Sequence, residues 1–106
     1  MNIFGKEVHF LFSVGAKIAI GMLGEEHTLY ARTIATAVIM SEQYENRKAL
    51  EEPGYEKHPL TFEEAQSLSE EEFDAMCKEM NEAFEKGGLR SVEAEEDKKK
   101  EAGASS

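Results

Sequence analysis

Apolar residues recur along this chain in two rhythms, one of two residues and one of three to four. The short rhythm comes first. In "EVHFLFS", Val8, Phe10 and Phe12 alternate with Glu7, His9 and Leu11, the spacing of a strand with one face toward a core. Met1 to Phe4 is long enough only for the other half of a small hairpin, and Gly5-Lys6 has the Gly-X form of a type II′ turn between the two. A hairpin this small must pack on helices or pair its edge with another copy.

The rhythm then changes. Ser13 stands where a helix N-cap belongs, before a segment from Val14 to Leu23 on which Val14, Ile18 and Met22 form one stripe. Gly15 and Gly21 weaken that helix and Gly24 closes it. A longer helix is expected from about Glu25 to Glu51, acidic in its first turn and with Arg47 and Lys48 near its end, as the helix dipole prefers. Its middle, "ATAVIM", is apolar nearly all the way round. "EEPGYEKHP" is a loop in which Pro53-Gly54 suits the centre of a type II turn. Two capping boxes follow: Thr61 with Glu64 starts a short helix, and Ser69 with Glu72 starts a long one. Lys86 and Gly87-Gly88 end the latter. From Leu89 onward almost nothing is apolar, and such a segment cannot offset its ordering entropy. The expected fold is mainly α: a small helical domain over residues 1–88 with a short N-terminal β-hairpin, and a disordered, charged tail over 89–106.

The last long helix carries Phe73, Met76, Cys77, Met80 and Phe84 at i, i+3, i+4, i+7 and i+11, one face of a helix. Two roles fit that stripe. It is the inside of the domain, the common use of such spacing, or it is a surface for a partner, a use that unbranched methionine side chains suit because they repack against varied shapes. The same choice applies to Val38, Ile39 and Met40, which cannot all face one small core. Phe73, Met76, Met80 and Phe84, with Val38, Ile39 and Met40, are therefore the candidate partner-binding residues.

Charge narrows the partners. The net charge is −10. The first fifty residues carry five basic and five acidic groups, and the remainder carries seven basic against seventeen acidic. The surplus therefore lies wholly in the second half, where it repels nucleic acid and anionic lipid. No run is apolar and long enough to span a bilayer, and no secretory leader is visible. Cys77 is the single cysteine, which favours a reducing compartment and forbids an internal disulfide.

Candidate chemistry adds little. His9, His27 and His58 lie in different elements without zinc-ligand spacing, and no calcium loop occurs. "GAKIAIGMLG" lacks both phosphate-loop spacings. The carboxylates of "EEE" and "EAEED" have the look of solvated charge, with none marked for an apolar pocket. No catalytic, cofactor or metal residue is nominated, and an enzyme is not expected. An acyl carrier protein is also dropped, because Gln66-Ser67-Leu68 lacks the aspartate of its attachment motif and falls at a helix end.

The order of a tiny hairpin, the apolar "VGAKIAI", a long middle helix, a loop, "LTFEEAQSLSEEEFDAMCKEMNEAFEKG" and a charged end resembles the small tail assembly chaperones of long-tailed bacteriophages. It covers residues 3 to 88 and lies in arrangement, not in an invariant motif. The resemblance implies a helical, self-associating adaptor that coats the tape-measure protein and helps recruit tail tube protein. It also implies work in the host bacterial cytoplasm and absence from the finished virion. Relatives of this kind often make a longer product by a −1 ribosomal frameshift, and Lys98-Lys99-Lys100 is the candidate slip site, with Glu101 to Ser106 as the in-frame ending. A plain solvated lysine cluster explains the same residues. Two other readings compete: an acidic mimic of nucleic acid that blocks a DNA-binding host protein, and a minor tail-tube or head–tail connector subunit. The mimic needs its carboxylates on a folded surface, yet five fall in the tail; the connector needs a longer hairpin.

Overall fold

A computed structural model describes residues 1–24 and 28–87. The chain is mainly helical behind a two-stranded antiparallel hairpin. Strands β1 (Asn2–Ile3) and β2 (Lys6–Glu7) pair Asn2 with Glu7 and Ile3 with Lys6. Helices α1 (Val14–Gly21), α2 (Leu29–Glu51), α3 (Phe62–Gln66) and α4 (Glu70–Lys86) follow. The tail expected from Leu89, with its lysine triplet, lies outside the described residues.

The hairpin turns one residue earlier than its sequence suggests. Phe4 and Gly5 both have positive φ, 50° and 83°, which is the signature of a type I′ turn at Phe4-Gly5 in place of a type II′ turn at Gly5-Lys6. The Asn2 side chain holds that turn by accepting from the Gly5 N–H at 3.0 Å. Residues 8–13 form no strand, yet the alternation keeps its meaning. Val8 and Phe12 are buried and Phe10 packs against the core.

Helix α2 is the spine. It begins after Thr28, whose hydroxyl accepts from the Ala31 N–H, so its first turn holds no carboxylate and the expected start at Glu25 is corrected to Leu29. A side-chain cap at Thr28 satisfies a free N–H of the first turn directly. Helix α1 runs antiparallel to α2. Ser13 Oγ donates to Gln43 Oε1 at 2.8 Å at one end, and Arg32 Nη1 donates to the Gly24 carbonyl at 2.9 Å at the other. Helix α4 runs the same way as α2, with the Tyr30 hydroxyl and ring on Glu70 and Phe73 at its start. At its end Phe84 meets Phe12 edge to face, ring centres 4.8 Å apart.

Both capping boxes form as their spacing requires, at Thr61–Glu64 and Ser69–Glu72. The 52–55 turn also forms, with Gly54 at φ +88° and the Tyr55 N–H bonded to the Glu52 carbonyl at 3.1 Å. Gly87 ends α4 for a different reason from the left-handed cap that Gly usually supplies. Its φ is −77°, and a Cβ there would collide with the backbone oxygen and Cβ of Phe12. The end of α4 can therefore lie against the segment at Phe12 only if position 87 has no side chain.

Candidate partner-binding surface

The seven candidate residues sit mainly inside. Val38, Met40, Met76 and Met80 are buried in the chain's own core, Met40 and Met76 completely. Ile39, Phe73 and Phe84 are half-buried and packed against that core. The Met and Phe stripe of α4 is thus the wall that faces α2, and the described fold gives a partner no access to Met76 or Met80. In the described fold these four side chains form core and not free surface. The apolar middle of α2 divides between α1 on one side and α3 and α4 on the other, which is how so much of its circumference finds cover.

Phe4, Leu50 and Phe62 are exposed at separate places, and a row of exposed apolar side chains lies on α1. Val14, Ile18 and Met22 are 72%, 60% and 79% exposed, and Leu29, the first residue of α2, is 80% exposed. The stripe that one would assign to the core points outward because α1 has a second apolar side made of small residues. Ala16 is wholly buried, Ala19 and Gly15 are half-buried, and Gly15 lies directly under the Gln43 amide. Helices approach most closely where side chains are small, so the Gly15–Ala16–Ala19 side docks on α2 and the large aliphatic side is turned away. The small residues are present in the sequence, but only their packing on α2 shows which side of α1 faces out. The only charge on α1 is Lys17, whose ammonium lies 5.4 Å from the Phe12 ring centre.

A groove of about 370 Å³ lies near the end of α1, between α2 and α4. Leu29, Arg32, Thr33 and Thr36 form its α2 side and Cys77, Met80, Asn81 and Phe84 its α4 side. Burial first, and then the charge of Asp74, push the Cys77 thiol pKa up, so the thiol stays protonated at neutral pH and behaves as an apolar lining group.

On the opposite side of α2 a polar cluster holds the loop before α3. Glu45 is 1% exposed and its Oε1 accepts from the Tyr55 hydroxyl at 2.7 Å and the His58 N–H at 3.0 Å. Two residues on, the Leu60 N–H donates to the buried Ser41 hydroxyl at 2.8 Å, which places the Leu60 side chain in the core. Lys6 adds a third fastening, donating to the Pro59 carbonyl and pairing with Glu64, each at 3.0 Å. Spacing did not single out Glu45, since one glutamate on a helix rich in polar residues has no distinguishing pattern. The cluster is a clasp: every partner of Glu45 comes from the loop it fastens. Among the described residues no group of three or more metal-ligating side chains converges, and no helix is long and apolar enough to cross a membrane.

Comparison with known proteins yields no match: no family model, no curated protein and no solved structure corresponds to this chain.

Proposed function

We propose that this protein is a non-catalytic helical adaptor of the phage tail assembly chaperone type, which covers apolar helices of a tape-measure protein and helps bring tail tube subunits to it. The observation that supports this reading is the outward stripe of Val14, Ile18 and Met22 on a helix with one charge. A fold of this size keeps large aliphatic side chains in a row on its surface only at a cost in solubility, and a partner removes that cost. Burying each such side chain in a contact contributes on the order of 1.5–3 kcal/mol. The acidic remainder of the molecule suits the outer face of a solubilising coat.

Co-expression with the tape-measure protein of the same phage tests the reading. The wild-type chain raises the soluble yield of that protein and co-purifies with it. Ile18→Asp keeps its helical circular dichroism, because position 18 is on the surface, and loses the solubilising effect. A variant that solubilises as well as wild type removes α1 as the contact, and a wild-type chain without effect removes the function.

A further inference from the structure

We infer that the exposed stripe of α1 and the groove between α2 and α4 form one seat for a single amphipathic helix with basic flanks. The inference rests on the adaptor reading and specifies its partner's chemistry. The two features are joined by Arg32, which lines the groove and holds the carbonyl of Gly24, two residues beyond Met22. The groove's α2 side, from Leu29 to Thr36, covers two helical turns, roughly 10 Å, the interval in which an incoming helix offers side chains at i, i+4 and i+7. Leu29 and Phe84 supply apolar contact along it.

Charge selects the occupant. Helix α4 carries seven carboxylates to two ammoniums, and its Asp74 lies close enough to the groove-lining Cys77 to act on that thiol; the one charged lining group, Arg32, is turned to the Gly24 carbonyl. Lysine or arginine on the α4 flank of the incoming helix meets this acidic helix, and glutamate is repelled by it. A second copy of this chain fits less well. Its apolar faces on α2 and α4 are used internally, its own α4 is acidic, and the one cation of its α1 lies over Phe12.

Cys77 is the chain's only cysteine and lines the groove, so its alkylation reports occupancy. The full chain is treated with N-ethylmaleimide at alkaline pH, alone and with two synthetic helical peptides sharing a leucine stripe, one flanked by lysine and one by glutamate. Binding of each is followed in parallel by fluorescence anisotropy. The lysine peptide at about ten times its dissociation constant slows alkylation about tenfold, the glutamate peptide leaves the rate unchanged, and Ile18→Asp or Met22→Asp weakens the lysine peptide's binding. Equal protection by both peptides overturns the charge preference. Binding that depends on position 18 but leaves Cys77 as reactive as before overturns the shared seat while the adaptor reading stands. Alkylation that slows with protein concentration in the absence of peptide gives the groove to a second copy and overturns the inference. Absence of binding by either peptide overturns it too, and co-expression then decides the adaptor reading separately.

Discussion

A carboxylate on the inner side of α2 fastens a loop that has no regular structure of its own, and its hydrogen-bond partners carry a pH dependence. The hydrogen bond to Glu45 first, then burial and the charge of Glu45, push the Tyr55 phenol up to about 12. In an unfolded chain the phenol ionises near ~10. The folded state therefore holds its proton through a window in which the unfolded state releases it, and stability falls as pH rises from there toward about 12. Denaturant midpoints measured across this range fall for the wild type and fall less steeply for Tyr55→Phe. Some slope remains in the variant because Glu70 also raises the Tyr30 phenol. Position 87 is sensitive for a steric reason. A methyl group there meets the Phe12 backbone, which cannot rotate away. Gly87→Ala is expected to destabilise the fold by about 1–3 kcal/mol, the usual cost of overpacking, as a lowered denaturation midpoint.

Signals written within four residues specify the elements of this chain, and the long-range arrangement is not written that way. The Ser69–Glu72 box needs only its own residues, and it forms where the spacing placed it. Ser69→Ala removes the acceptor for the Glu72 N–H and is expected to cost about 1 kcal/mol in equilibrium unfolding. Helix α2 starts at Leu29, four residues after Glu25, and the hairpin turns one residue before Gly5-Lys6. In both, a polar side chain (the Thr28 hydroxyl, the Asn2 amide) satisfied a backbone N–H more directly than the competing pattern. The stripe of α1 was legible as a stripe, but its direction was not. Only the packing of Ala16 on α2 decides which of two apolar sides faces water.

For the molecule as a whole, the two apolar stripes have opposite fates, and paired substitutions separate them. Met76→Asp with Met80→Asp places two unpaired charges in the buried wall between α2 and α4. Each costs several kcal/mol against a total stability of about 5–15 kcal/mol, so the double variant is expected to lose its helical circular dichroism and its thermal transition. Val14→Asp with Ile18→Asp makes as large a chemical change at positions 72% and 60% exposed, and is expected to leave both signals near wild type. The comparison places the free apolar surface on α1 and the structural one on α4 by a measurement that needs no partner.

The sequence by itself determined the helical class, the short hairpin, both capping boxes, the Pro53-Gly54 turn and the existence of more than one apolar stripe. Each follows from interactions between residues close in the chain, whose geometry hardly depends on the rest of the molecule. Tertiary structure alone decided which stripe is core, that Glu45 is buried under Tyr55 and His58, and that Gly87 must lack a side chain. Those outcomes depend on which surfaces approach each other most closely. Small residues on α1 and long ones on α4 settle that competition only when α2 is present between them.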